Sequence, residues 1–351
     1  MNKLERHPKI IRLAEELNLS KKGNCLNRIK DSALSKVEDM IKAYHIGSLT
    51  DLSLFISNLL SIKVELIETD DDIDKIIDKH PDFHSSLRQR LKLEFLELNT
   101  EGITLECEYW KPPNLRYLAV IDARGERRYR AYFTTWHEIS HLLVHPAQKE
   151  FPGFRRTPSE KIKNKDPIES LVDLISGHIA FYEPFFGPVI TSEIEKNKDL
   201  TFNTIINAKN KVVPDASLFA TAIQSINYYE NPTILIKVAE RFKKGEERIL
   251  NNSQQSFDFA MTNFTSKLRA ETLIQNTAAK KNKTFEIRQN MRVPQESILY
   301  QLFKDQFGDK LTAIENQKLW ETSSSGHLST LPINVEAIRR GSFVYGLITV
   351  N

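Results

Sequence analysis

The feature that most constrains this chain is the motif HEISH at 137–141, in which His137 and His141 stand four residues apart. On an α-helix such residues lie one above the other on the same face, so both imidazoles can reach a single metal ion. Glu138 lies beside that face, where it can take a proton from a water molecule at the ion. The motif therefore predicts a helix over about 135–144 that carries a hydrolytic metal centre.

A zinc ion in a hydrolytic site takes three protein ligands and keeps a fourth position open, so a further ligand is expected downstream. Glu169 is favoured, because it follows His141 by 28 residues on the next predicted helix, 167–182. A loop of that length lets the two helices pack against each other. Asp173, one turn beyond Glu169, can then accept the outer N–H of a ligand histidine. The alternative third ligand is His178.

His145 is a less suitable ligand, although it follows His141 by one further turn. Three ligands at i, i+4 and i+8 on one straight helix span about 12 Å, which is too far for bonds of about 2 Å to one ion. We expect His145 to lie at the helix end or on the substrate side of the site.

Composition excludes several other classes of protein. The chain has 351 residues, and its 49 basic and 46 acidic residues leave a net charge of +3. This balance excludes a strongly basic protein that coats nucleic acid. Two cysteines are too few for a disulfide framework and favour a reducing compartment. No apolar run approaches the roughly 20 residues that cross a bilayer, so we expect a cytoplasmic protein without membrane contact.

The segments before the motif predict helices followed by a small sheet. Residues 7–60 have helical spacing, and the alternation at 61–67 favours a strand. Two strands, 103–110 and 115–123, are joined by a loop with two prolines and are expected to form a hairpin. Residues 129–134 are predicted to form a short third strand that leads into the helix of the motif.

The pattern after Pro188 is mainly helical to about residue 250. Two short helices, 217–229 and 232–242, are expected there, and such a pair is compatible with a helix-turn-helix that reads DNA. The polar run at 251–256 is expected to be a linker. The remaining residues mix short strands and helices, and they end in a strand-like run at 343–350.

Two runs in the sequence resemble the ImmA/IrrE metallopeptidases. RYRAYFTTWHEISHLLVH at 128–145 is similar to their strand that leads into HExxH, and IESLVDLISGHIAFYEP at 168–184 is similar to their ligand helix. The resemblance extends over roughly 45–190. Trp136 stands where the family usually has a small residue. The runs at 268–276 and 290–299 are similar to the C-terminal tail of longer, IrrE-like members.

The resemblance implies an α+β fold with a zincin-like peptidase core, in which a small sheet accompanies the active-site helix and the ligand helix. A helical segment and a C-terminal mixed α/β domain, GAF-like and sensor-like, would follow. The expected domains are an N-terminal helical segment, the metallopeptidase domain, a helical segment and the C-terminal domain, at 1–48, 49–190, 191–252 and 256–351.

The resemblance also implies an activity and its residues. The metal would be Zn²⁺, with Mn²⁺ as the alternative, held by His137, His141 and Glu169, and Glu138 would be the general base. Family members are cytoplasmic metallo-endopeptidases that cleave a helix-turn-helix repressor and so switch on stress or mobile-element genes. A protein substrate of this kind is therefore the expected partner.

A developing oxyanion needs a further hydrogen-bond donor, and the sequence does not choose among His178, Tyr182, Tyr132 and Arg130. Two other functions are compatible with the sequence. One is a regulator without proteolytic activity that binds DNA or a repressor, and the other is the protease of a toxin–antitoxin or phage-defence system. A complete HExxH argues against the first, because a purely structural site has no need of Glu138.

Overall fold

The chain folds into two compact units, which are formed by Met1–Gly187 with Val212–Ser217 and by Pro188–Lys211 with Leu218–Asn351. These units are taken from a computed structural model. It describes residues 5, 7–21, 23–81, 87–107, 115–144, 155–156, 166–243, 245–247, 249, 264–305, 308–322 and 326–350. None of the helices in these ranges is both long and apolar enough to cross a membrane.

The first unit contains a four-stranded sheet with the strand order β1-β3-β2-β4. Its strands are β1 (Ile62–Ile67), β2 (Thr100–Glu106), β3 (Tyr117–Asp122) and β4 (Arg155–Arg156). The central strand β3 runs parallel to β1 and antiparallel to β2, with Ile103 opposite Val120, and β2 is antiparallel to β4. The predicted strand at 61–67 and the predicted hairpin are confirmed, whereas the hairpin loop at 108–114 lies outside the described residues.

Helices account for most of the remaining residues of the first unit. They are α1 (Pro8–Glu16), α2 (Cys25–Tyr44), α3 (Leu49–Leu59), α4 (Asp72–Lys79), α5 (Leu87–Lys92), α6 (Arg128–Val144) and α7 (Pro167–Ala180). The α5 helix continues into a π-helical turn, Leu93–Glu97, and a 3₁₀ turn, Gly125–Arg127, precedes α6. The predicted α+β class is thus confirmed, with helices and strands mixed along the chain.

The sheet is covered on both faces, because every residue of β3 is buried. Leu118 and Val120 join a core cluster with Phe95 and with residues of α4 and α5. The alternate residues Tyr117 and Ala119 face Leu142 of α6 on the other side. This two-residue alternation places β3 between two helical layers and sets α6 directly on the sheet.

A buried carboxylate fixes the point where α6 leaves the sheet. The side chain of Asp122, at the end of β3, has no exposed surface and forms ion pairs with Arg124 and Arg127. Its Oδ1 also accepts the backbone N–H of Arg124 at 3.0 Å. Burial raises the pKa of Asp122, but these partners outweigh burial and lower it. The carboxylate therefore stays ionised and anchors the turn that positions the helix of the motif.

The predicted strand at 129–134 is wrong, because α6 already begins at Arg128. Its aromatic residues favour a strand locally, yet the buried positions follow a helical period. Ala131 and Thr134 are buried and Tyr129 is 46% exposed. Packing of the helix face on the sheet overrides the local preference. The helix of the motif is consequently about two turns longer than predicted.

The second unit contains a five-stranded antiparallel sheet with the order β6-β5-β9-β8-β7. Its strands are β5 (Thr233–Arg241), β6 (Lys267–Gln275), β7 (Lys310–Asn316), β8 (Pro332–Arg340) and β9 (Phe343–Thr349). Its helices are α8 (Glu183–Asn197), α9 (Phe202–Val212), α10 (Leu218–Ser225), α11 (Thr277–Lys281) and α12 (Ile298–Lys304). Residues 183–187 of α8 and the last residue of α9 belong to the first unit. One face of the sheet packs its apolar side chains in a core with Leu299 and Leu302 of α12.

The predicted helix at 232–242 is wrong, because these residues form strand β5 between β6 and β9. Its first four residues are all buried, which suits a central strand. A short apolar run of this kind fits a buried strand and a buried helix equally well. The helix pair at 217–242 that would be compatible with a helix-turn-helix is therefore not formed, because α10 and a 3₁₀ turn precede a strand there.

The second sheet also bears on the expected domain boundaries. Strand β5 lies in the predicted helical segment 191–252, yet it pairs with strands of the predicted C-terminal domain. The predicted linker at 251–256 lies outside the described residues. The boundaries at 48, 190 and 252 stay predictions.

Candidate metal centre

The predicted ligand helix forms as expected, and its first turn presents Glu169. Asp166 is the N-cap, and its Oδ1 accepts the backbone N–H of Ile168 at 2.8 Å. Pro167 occupies the first helical position, where a backbone N–H would have no acceptor within the helix, so the lack of this N–H costs no hydrogen bond. The helix ends at Ala180, and Pro184 lies in the first turn of α8. These local signals place Glu169 in the first turn of the helix.

The side chains of His137, His141 and Glu169 converge on one point. The two Nε2 atoms of the histidines are 3.1 Å apart. Glu169 Oε2 lies 3.1 Å from Nε2 of His137, and Glu169 Oε1 lies 3.3 Å from Nε2 of His141. Within the described residues, this is the one group of three His, Cys, Asp or Glu side chains that can hold a metal ion.

These separations fit a metal ion. Ligand atoms at about 2.0–2.1 Å from a tetrahedral zinc ion lie about 3.3–3.4 Å from one another, close to the distances observed between these three side chains. Glu169 Oε1 is buried, and its 3.3 Å contact with Nε2 of His141 lacks the geometry of a hydrogen bond, so it accepts none from the described residues. A buried carboxylate oxygen without a donor is unfavourable unless a cation faces it. The donor set, two imidazoles and one carboxylate, is one that zinc takes in hydrolytic sites.

Glu169 is ready to bind a cation at neutral pH. Burial raises the pKa of its carboxyl group, but the imidazoles of His137 and His141 outweigh burial and lower the pKa to about 2. Its side chain keeps 16% of its surface exposed, whereas the histidine side chains keep 1% and 2%. The group is thus closed on the side of α6 and more open on the side of α7.

Asp173 orients the first histidine, as the sequence predicts. Its Oδ1 lies 2.8 Å from Nδ1 of His137. If Nδ1 donates its proton to this carboxylate, Nε2 is left with a lone pair directed at the convergence point. Asp173 lies one helical turn after Glu169, so the same face of α7 supplies both carboxylates.

Removal of this carboxylate should weaken metal binding. We expect Asp173→Ala to raise the zinc dissociation constant by about 10–100-fold, because the His137 ring loses its orienting acceptor. Asp173→Asn keeps an acceptor oxygen and should lie closer to the wild type. Competition with a fluorescent chelator measures both constants. An unchanged constant in Asp173→Ala would show that the contact with His137 is irrelevant to the ion.

Glu138 follows His137 in α6, and its side chain contacts strand β2. It is 1% exposed, and its Oε2 accepts the hydroxyl of Thr104 at 2.7 Å. Its Oε1 is buried and accepts no hydrogen bond from the described residues. Gly102 lies close to it, since a Cβ atom at that position would be 3.3 Å from Oε1 of Glu138.

Gly102 is required for the close approach of β2 to α6. A Cβ atom there would lie 2.6 Å from Cγ2 of Thr134, closer than carbon atoms pack, and Thr134 is a stiff β-branched residue. We therefore expect Gly102→Ala to lower the free energy of unfolding by about 1–3 kcal/mol, measured by calorimetry. Gly47→Ala is the control, because no atom lies within 4 Å of a Cβ there. Equal stability of the two variants would refute this packing.

The other predicted contacts do not join the group. His178 lies nine residues after Glu169, on the opposite face of α7. Burial and the charge of Lys30 in α2 lower the pKa of His178. Burial and Glu38, also of α2, raise the pKa of Tyr182. Charges of α2 thus act on both side chains.

Two further residues that were expected to donate to an oxyanion already have partners. The Tyr132 hydroxyl donates to the carbonyl oxygen of Ala180 at 2.6 Å, and burial raises its pKa. Arg130 is paired with the buried carboxylate of Glu101, but half of its side-chain surface is exposed. Of these two residues, Arg130 is therefore the candidate with the more exposed side chain. His145 lies outside the described residues.

Thr104 and Gly102 are the site residues that the sequence analysis missed. Thr104 belongs to the strand predicted at 103–110, and Gly102 directly precedes it, because β2 begins at Thr100. A strand prediction does not show which helix covers each face. Alternation places Gly102 and Thr104 on one face together. The sequence carries no signal that this face meets Glu138 rather than another element.

Comparison with known proteins adds no identification: no protein-family model matches the chain, and no curated protein is significantly similar to it.

Proposed function

We propose that this protein is a zinc-dependent endopeptidase of the ImmA/IrrE type. The observation that carries the proposal is the convergence of His137, His141 and Glu169. Glu138 directly follows His137 in α6, and its carboxylate is buried. A structural zinc site takes four protein ligands, whereas three ligands leave one position for water or substrate. A purely structural zinc site has no need of the glutamate that follows the first histidine, whereas a hydrolytic site uses it as a general base.

The proposed chemistry is hydrolysis of a peptide bond. When bound, a zinc ion acts as a Lewis acid toward the attacking water and the scissile carbonyl. Glu138 accepts a proton from that water through its unpartnered Oε1 and delivers it to the nitrogen of the leaving amine. Asp173 keeps the ring of His137 in place throughout. The partly exposed Arg130 is the side chain best suited to interact with the substrate backbone.

The finer fold assignments belong to the same proposal. A helix with the ligand histidines that packs on a small mixed sheet, and a second helix with the third ligand, support a zincin-like core. The second unit supports a sensor-like, GAF-like domain through its antiparallel sheet, whose strand order is 2-1-5-4-3 when counted within the unit. The binding-only alternative is not favoured, because the helix pair that suggested DNA binding is replaced by α10 and strand β5.

We propose a helix-turn-helix repressor in the cytoplasm as the substrate, on the basis of the sequence resemblance. The test is incubation of the zinc-loaded protein with the repressor encoded beside its gene, with and without a chelator. The expected result is a cleaved repressor only in the reaction without chelator. If the repressor stays intact while a labelled peptide library is cleaved, the peptidase stands and the substrate is wrong. No cleavage of either would refute the proposed function.

A further inference from the structure

Thr104 forms the closest polar contact to Glu138 in the described residues. Its hydroxyl lies 2.7 Å from Oε2 of Glu138, and the two residues are 3% and 1% exposed. An ionised carboxylate can only accept hydrogen bonds, so the threonine is the donor. A buried hydrogen bond to a charged acceptor is among the stronger ones in proteins.

The two oxygens of Glu138 are therefore in different surroundings. Oε2 is held by Thr104, while Oε1 is buried and accepts no hydrogen bond from the described residues. The missing side chain of Gly102 keeps the space beside Oε1 free, since a Cβ atom would lie 3.3 Å from it. One oxygen is thus fixed to the sheet and the other is left for a proton donor from outside the protein.

We propose that Thr104 is a positioning residue for Glu138. Through its hydrogen bond to Oε2 it fixes the rotation of the carboxylate, so that Oε1 faces the water whose proton is removed. The inference rests on the proposed function, because it takes Glu138 as the general base. Neither the sequence motif nor the resemblance includes a residue of β2 in the site.

The physical argument is one of orientation. A glutamate side chain has three rotatable bonds, and a base displaced by about 1 Å can cost 10²-fold in rate. His137 and His141 lie on the helix and would also be held by a bound metal ion, but the helix alone does not fix the carboxylate of Glu138. The contact from β2 is the one that removes this freedom.

The test compares Thr104→Val, which removes the hydroxyl at nearly constant volume, with Thr104→Ser, which keeps it. Each zinc-loaded variant is titrated with acetohydroxamic acid and with azide. Acetohydroxamic acid transfers a proton to a base beside the metal when it binds, so its affinity depends on that base. Azide is an anion without a proton, so its affinity does not. Glu138→Gln serves as the reference for loss of the base. Zinc content is measured for every variant, and kcat and KM are measured with a cleaved peptide.

We expect Thr104→Val to raise the dissociation constant of acetohydroxamic acid by about 10-fold and that of azide by less than about 2-fold. The variant should retain one zinc ion per chain. Its kcat should fall by about 10–100-fold at nearly constant KM. Thr104→Ser should recover most of both losses. If Thr104→Val does not fold, Thr104→Ala, which also removes the hydroxyl, is tested by the same measurements.

The outcomes that overturn the inference differ from those that overturn the function. If Glu138→Gln weakens the binding of acetohydroxamic acid and Thr104→Val does not, Thr104 does not position the base. The proposed peptidase function is then unaffected. If Thr104→Val weakens the binding of both acetohydroxamic acid and azide, or loses zinc, the role of Thr104 is structural and the inference is wrong. If acetohydroxamic acid binds independently of Glu138 and no peptide is cleaved, the proposed function fails and the inference fails with it.

Discussion

Glu138→Gln is expected to keep its zinc and to lose about 10²–10⁴-fold in kcat for peptide hydrolysis, the range attributed to general acid–base catalysis. Glutamine has nearly the same shape as glutamate and can still accept the Thr104 hydroxyl through its amide oxygen, so the buried site should keep its packing. The amide cannot take a proton from water near neutral pH. The loss should therefore appear in kcat and in kcat/KM alike, as expected for an interaction made in the transition state.

The matched control for this prediction is Glu126→Gln. Glu126 is exposed, belongs to the 3₁₀ turn before α6 and undergoes the same chemical change. Elemental analysis gives the zinc content, and cleavage is followed at saturating substrate. Wild-type rates in Glu138→Gln would remove Glu138 from its proposed role. Loss of zinc together with activity would make it a structural residue instead.

Glu169→Ala is expected to reduce zinc affinity by more than the 10–100-fold that loss of an outer partner typically costs. The substitution removes one of three ligand atoms and leaves two imidazoles with Nε2 atoms 3.1 Å apart, without the carboxylate that faces both nitrogens. A divalent ion then loses both a bond and the charge that offsets its own. Protein purified at micromolar free zinc should contain well below one ion per chain.

Glu195→Ala provides the comparison for this variant, because Glu195 is an exposed helical glutamate of α8. It should retain the wild-type zinc content. Circular dichroism distinguishes lost affinity from lost fold, since Glu169 lies in the first turn of α7, where substitution by alanine is tolerated by the helix. A full zinc complement in Glu169→Ala would show that a different ligand completes the site.

The core of the site was predictable because its signals are local. The spacing of His137 and His141 is read directly on a helix, and Asp166 and Pro167 mark the start of the helix that carries Glu169. The predicted contact of Asp173 with a ligand histidine followed from two general facts. Residues four apart share a helix face, and a metal-binding histidine usually donates its other ring N–H to an acceptor such as a carboxylate. The spacing within each helix is local, and only the pairing of the two helices, 28 residues apart from His141 to Glu169, had to be assumed.

The remainder depended on contacts between distant segments. The hydrogen bond from Thr104 to Glu138 joins residues 34 positions apart, and no periodicity shows which helix covers β2. Strand β5 was mistaken for a helix because its burial comes from β6 and β9, and β9 lies about 100 residues away in sequence. The strand predicted at 129–134 was wrong for the same reason, since packing on the sheet decides its form.

Anomalous diffraction at the zinc absorption edge, from crystals grown with zinc, tests the central claim most directly. We predict one strong peak per chain, within about 2.0–2.2 Å of Nε2 of His137, Nε2 of His141 and a carboxylate oxygen of Glu169. A peak elsewhere, or no peak while these side chains keep their positions, would contradict the metal centre and the hydrolase that depends on it.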